Sequence, residues 1–227
     1  MTKLVIKAQA SCFDDVDGKT RLILAGEQIF AKSGIYGASM REIATRAGQG
    51  NHAAVQYHFG SREGLVRALF DYRMEQMEIA RGTMLDRAQV TGRLKDARTI
   101  LDIIFIPQLD LQDADGNHSY ASFLSQYLLH RPTRKFSDFT GPATPKLAEA
   151  LRLLGQRVDY LPRYVAQRRL ISVSLMFLNI LIRYHGDDRD SLGESISEAL
   201  DDTMEQIVSV MCAPLRLALN TSRNSHT

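Results

Sequence analysis

Apolar positions recur at three- and four-residue spacing along nearly the whole chain, and runs that alternate apolar with polar residues are missing. That period belongs to amphipathic helices rather than strands. A first helix is expected at 20–33, with Leu22, Ala25, Ile29 and Phe30 as one stripe and Gly34 as its stop. A second starts at Ser39, which has the spacing of a capping box with Glu42. Met40, Ile43, Ala44 and Ala47 make its inner face, and Gly48 ends it. After a short turn, Asn51 can cap a third helix that runs to about His58. Gly60 breaks that helix, and Ser61 opens a long fourth one with Leu65, Leu69, Tyr72, Gln76 and Ile79 on one face. Helical patterns recur at about 95–108, 118–130, 145–160, 162–184 and 191–211, with a loop at 131–144. The pattern predicts an all-α protein. A three-helix helix-turn-helix head at 18–64 sits on a larger helical body at 65–213, and flexible tails occupy 1–17 and 214–227.

With 227 residues, 44% hydrophobic and 24% charged, the chain can bury a substantial core. Its two cysteines, Cys12 and Cys212, lie near opposite ends. They offer no disulfide framework, which points to a reducing compartment. The most apolar stretch, 170–182, contains two serines and an asparagine. It falls short of the roughly 20 apolar residues of a bilayer span, so a soluble cytoplasmic protein without membrane attachment is expected. Charge changes the picture more. The whole chain carries only +2, yet residues 19–67 hold seven Lys/Arg against three acids. A basic head on a near-neutral body suits a polyanionic partner such as duplex DNA.

In a helix-turn-helix the second helix packs across the duplex, and the third enters the major groove. The third must present small or polar side chains outward, here Asn51, His52, Ala53 and Gln56, while Val55 and Phe59 face the core. Gln56 has the amide that pairs bidentately with adenine. The string Gln56-Tyr57-His58-Phe59-Gly60-Ser61-Arg62-Glu63-Gly64-Leu65 follows Ser39-Met40-Arg41-Glu42-Ile43-Ala44-Thr45-Arg46-Ala47-Gly48 and Ile29-Phe30-Ala31-Lys32-Ser33-Gly34. Over about residues 20–67 the chain resembles the DNA-binding head of the TetR/AcrR family of bacterial transcriptional regulators. The turn after Gly48 is one residue longer than is usual there, as in a subset with the string Ala-Val-Gln-Tyr-His-Phe-Gly.

The resemblance implies that Ser39 offers a hydroxyl and free N–H groups to a phosphate, and that Arg41 reads a base edge or a phosphate. It implies backbone contacts for Tyr57 and His58 and a phosphate clamp at Arg62. With Asn51, His52, Ala53 and Gln56 these form the expected DNA-binding set. It further implies a homodimer built from the last two helices, with Leu170, Val173, Phe177, Leu181, Leu200 and Ile207 at the interface. An effector pocket would lie between the middle helices. Phe105, Gln108, Tyr120, Phe123, Tyr127, Met176 and Asn179 mix apolar walls with polar tips and suit a mainly hydrophobic small molecule. No phosphate loop, nucleophile elbow or Cys/His cluster occurs, so no catalytic residue, cofactor or metal is expected. The expected function is an operator-binding repressor released by a small ligand. A ligand-responsive activator, or a helical protein-interaction module without DNA binding, is the alternative.

Overall fold

The computed structural model describes residues 16–51, 53–113, 116–130, 144–184 and 195–215, and every regular element among them is helical. Asp17 opens α1 (Gly18–Ser33) by accepting from the N–H groups of Lys19 and Thr20 at 2.8 and 2.9 Å. Its bonds to the Thr20 N–H and hydroxyl hold the carboxyl below the ordinary aspartate range. The second helix, α2 (Met40–Arg46), starts where Ser39 Oγ accepts from the Glu42 N–H at 3.4 Å, one half of the expected capping box. The complete box forms instead at Ser195 and Glu198, opening α9 (Ile196–Cys212). The third, α3 (Ala54–Phe59), is a short helix with no side-chain cap. Asn51 Oδ1 accepts from the Ala53 N–H at 2.9 Å, so it shapes the turn ahead of the helix rather than capping it.

The longest element, α4 (Arg62–Val90), crosses the expected boundary between head and body without a break. Its buried face is Leu65, Leu69, Arg73, Met77, Arg81, Leu85 and Ala88, whereas Gln76 and Ile79 of the expected stripe face solvent. Two buried arginines hide the true stripe from a reading that sends every charge to water. The expected helix at 95–108 ends early. Asp96 caps α5 (Ala97–Phe105), and a 3-10 turn, Ile106–Asp110, follows because Pro107 has no N–H to continue an α-helix. The remaining helices are α6 (Ser119–His130), α7 (Pro145–Arg157) and α8 (Arg163–Arg183). The loop expected at 131–144 and the tails lie almost wholly outside the described residues.

One hydrophobic core runs from Leu22 to Met211. Packed on α1 are α2, α4 and α6; α8 lies against α6 and α9, and α5 against α7 and α9. Head and body are tied at three places. Phe30 stacks on Phe123 with ring centroids 6.0 Å apart. Gln126 Nε2 donates to the Ala31 carbonyl at 3.1 Å. Arg73 grips the buried Glu27 through two bonds of 2.6 and 2.8 Å.

Leu170, Val173, Phe177, Leu181 and Ile207 of the expected interface set are buried within the subunit, and the half-buried Leu200 packs against the same core. The stripe on α8 is wide because two neighbours of its own chain pack against that helix, α6 and α9. By length and composition α8 is apolar enough to cross a bilayer; here one side of it packs against α6 and α9, and Tyr164, Ile171, Leu175 and Ile182 keep exposed surface. The outward face of α9, by contrast, is acidic: Glu198, Asp201, Asp202 and Glu205 are exposed, and Asp201 and Glu205 hold Arg98 of α5 at 3.1 and 2.6 Å.

Candidate nucleic-acid interface

Helix α3 is held by its apolar side. Ala54 and Val55 are buried and Phe59 packs against the core, while α2 and α4 support it from behind. This leaves Ala53, Gln56, Tyr57 and His58 outward. Tyr57 is 83% exposed, an unusual place for so large a ring. The His58 ring meets it edge-on, with centroids 5.0 Å apart, which limits the directions that the phenol can take. Asn51 is exposed at the start of the same surface, and His52 lies outside the described residues.

Two glycines make the α3–α4 corner. Gly60 has φ +71°, a conformation that other residues adopt at a cost. A Cβ on Gly64 would sit 1.9 Å from the Phe59 carbonyl oxygen, so α4 can approach the end of α3 only if residue 64 has no side chain. Ser61 Oγ accepts from the Gly64 N–H at 3.0 Å and starts α4 at that point. The string from Gly60 to Gly64 is thus a backbone requirement of the corner.

Ser39 and Arg41 are exposed at the start of α2, beside α3. With Ile29, Glu42, Thr45 and Arg46 they line a depression of about 470 Å³. Thr45 and Arg46 were not among the expected residues, although Thr45 lies one turn after Arg41 and its hydroxyl donates to the Arg41 carbonyl at 3.0 Å. Arg46 Nε donates to Gln28 Oε1 at 2.6 Å and fastens α2 to α1.

Arg62 also has a place within the fold. Its Nη1 donates to the carbonyls of Ile35 and Ala38, at 2.5 and 2.7 Å, and the residue is half-buried. A guanidinium engaged in this way ties the α1–α2 turn to the start of α4 and so helps to position Ser39 and α2.

The expected ligand residues divide. Phe105, Gln108, Tyr120, Phe123 and Tyr127 are buried, Met176 is half-buried, and Asn179 is exposed on the outer flank of α8. The aromatics form two groups: Phe105 stacks on Phe177 at 5.2 Å, while Tyr120, Phe123 and Tyr127 make a chain with centroids 6.0 and 6.1 Å apart. None of the seven lines the depression on the head. Nor do they line a second one, of about 290 Å³, between Leu85, Asp86, Gln89, Leu94, Pro145, Lys146 and Glu149. No group of three His, Cys, Asp or Glu among the described residues could hold a metal ion.

Residues 22–69 match the family model described as bacterial regulatory proteins, tetR family. No curated protein matches the chain. Among solved structures, a protein described as a TetR-family transcriptional regulator from Mesorhizobium loti MAFF303099 is similar at 17% identity, with 85% of this chain and 96% of that chain covered and a TM-score of 0.45. A transcriptional regulator from Rhodococcus sp. Rha1 is similar at 22% identity, covering 85% of this chain and 97% of that chain, with a TM-score of 0.41.

Proposed function

We infer that this chain, whose residues 22–69 form the DNA-binding head of the tetR family of bacterial regulatory proteins, acts as a homodimeric repressor. It binds a two-fold symmetric operator and leaves it when a small ligand occupies the body. The observation that carries the DNA-binding part is the outward face of α3. Gln56, Tyr57 and His58 stand exposed on a helix whose other side is anchored, an arrangement that suits insertion into a groove. In this reading Gln56 pairs with a base edge, and Tyr57 and His58 lie along the sugar–phosphate backbone. Ser39 and Arg41 meet a phosphate from α2, with Thr45 and Arg46 beside them.

A second copy fits the outer flank of α8. Tyr164, Ile171, Leu175 and Ile182 follow one another at helical spacing, and each keeps exposed surface beside Arg168 and Asn179. Pairing two heads raises the effective concentration of the second once the first is bound. Release follows from α4, which carries α3 at one end and packs against the body along the rest. A change in its tilt alters the spacing of two recognition helices, which must match a helical turn of roughly 34 Å. A ligand shifts that equilibrium only by its preference for one tilt over the other.

An electrophoretic mobility shift on duplexes selected from a random pool tests the reading. Binding is expected to be sequence-specific and to fall steeply as salt rises, because bound phosphates release counterions. A dimer that binds no duplex at low ionic strength overturns it.

A further inference from the structure

Two arginines of α4 are buried, and they are not alike. Each guanidinium nitrogen of Arg73 has a partner: Nε and Nη2 grip Glu27, and Nη1 donates to Gln76 Oε1 at 2.8 Å. Although burial works against its charge, Glu27 holds the guanidinium above its ordinary range. Arg81, on the same face, is 1% exposed and poorly matched. Nη1 stands 3.3 Å from Glu78 Oε1, Nη2 reaches only the Met77 sulfur at 3.4 Å, and Nε has no partner. The Glu78 carboxylate is meanwhile shared with α7, accepting from the N–H groups of Lys146 and Leu147 at 2.7 and 3.1 Å. Burial pulls the Arg81 guanidinium below its ordinary range, against the pull of Glu78.

Two other buried polar groups, on elements outside α4, are also unmatched. The Tyr120 hydroxyl is fully buried without a partner, and among nearby charges Arg81 acts on it most strongly. Gln108 Oε1, on the 3-10 turn that packs against α4, is likewise buried and unpartnered. Buried polar groups are nearly always satisfied, so three such groups around the α4 packing surface call for an explanation. The Nε–Nη2 edge, here met only by a thioether sulfur, is the fork by which a guanidinium takes a carboxylate through two parallel bonds. Tyr120, whose hydroxyl feels the Arg81 charge, is the first of a run of rings on α6 that continues through Phe123 and Tyr127. Met77 fronts the fork, and an unbranched thioether side chain moves aside cheaply.

We propose that Arg81 of α4 and Tyr120 of α6 together bind a small organic carboxylate with an apolar body. Its two oxygens sit on the Nε–Nη2 edge of Arg81, the Tyr120 hydroxyl donates to one of them, and the apolar part lies along the Tyr120 ring. The proposal rests on the ligand-released regulator reading and gives its effector a chemical class. Such a ligand bridges α4, which carries the head, to α6, which packs against α1 and α8.

The test uses the full chain, with benzoate and octanoate as probes and benzamide and octanamide as neutral counterparts, followed by calorimetry and thermal shift. At least one carboxylate is expected to bind and raise the melting temperature, and its amide to bind about tenfold more weakly or worse. Arg81→Met and Tyr120→Phe are each expected to weaken the carboxylate about tenfold or more. Without any probe, Arg81→Met should melt no lower than the parent, because it removes an under-paired buried charge. Failure of both carboxylates to bind, equal binding of the amides, or full binding by Tyr120→Phe and Arg81→Met overturns the site. An Arg81→Met protein that melts far below the parent makes the arginine purely structural and overturns it too. DNA binding measured without probes separates the two readings. A protein that holds its duplex but ignores both carboxylates refutes this site alone; one that takes a carboxylate but no duplex supports this site and refutes the regulator.

Discussion

At the residue scale the head contains two kinds of polar side chain that the sequence does not distinguish. Gln56, Tyr57 and His58 reach into solvent, whereas Arg62 is turned back onto the carbonyls of Ile35 and Ala38. Different consequences follow. Tyr57→Ala should weaken binding to every duplex about tenfold, the value of one charged hydrogen bond, with no change in melting temperature. Gln56→Ala should cost about 1–3 kcal/mol of discrimination at one base pair per half-site, measured by competition among single-base operator variants. A variant with unchanged base preference removes Gln56 from that role. Arg62→Ala should lower both DNA affinity and thermal stability, because two carbonyls lose their donor; loss of affinity alone would return Arg62 to the phosphate. Residue identity told which groups could reach DNA. Which of them the fold had already engaged depended on a turn at Ile35–Ala38 that no local pattern announces.

At the scale of elements, start and stop signals worked where they were local. Ser39 and Ser61 cap the helices that they precede, as expected, since a cap is a contact over three residues, whereas Asn51 does not cap α3 and the Asp96 cap of α5 is seen only in the structure. The Asp96 carboxyl is held below its ordinary range by the Thr99 hydroxyl and N–H, although burial opposes this. A depressed carboxyl contributes stability above its unfolded pKa and loses it as the pH falls through the folded value. The capping of α5, like that of α1 by Asp17, should therefore fade below about pH 4. Asp96→Asn, which caps without titrating, should flatten the acid limb of melting temperature against pH; Asp96→Ala should cost about 1 kcal/mol at neutral pH. Gly64→Ala should cost about 1–3 kcal/mol and abolish DNA binding, because its methyl group would meet the Phe59 carbonyl. The stripe of α4 was misread for a different reason. Arg73 finds Glu27 on another helix and Arg81 is enclosed by packing that local spacing does not show, so helical periodicity placed them in water.

At the scale of the whole molecule, an apolar stripe does not say whose helix covers it. Leu170, Val173, Phe177 and Leu181 are buried on a helix that packs against α6 and α9 of its own chain, and Phe177 stacks on Phe105, so Phe177→Asp should unfold the subunit. Leu175→Asp, on the outer flank of α8, should instead yield a folded monomer by analytical ultracentrifugation. It should bind DNA more weakly than the parent by the lost effective concentration. If Leu175→Asp remains a dimer, the pairing surface lies elsewhere.

The sequence by itself determined the helical class, the caps at Ser39 and Ser61, the break at Gly60 and the match of residues 22–69 to the tetR family model, because each of these is written within a short stretch of chain. Tertiary structure decided which stripe faced which partner, which arginines were buried, and that Arg62 braces a turn. Those outcomes depend on groups that sequence separates and packing brings together. Burial turns a charge from a surface ornament into a demand for a partner, and only the folded chain reveals whether that demand is met, as at Arg73, or left open, as at Arg81.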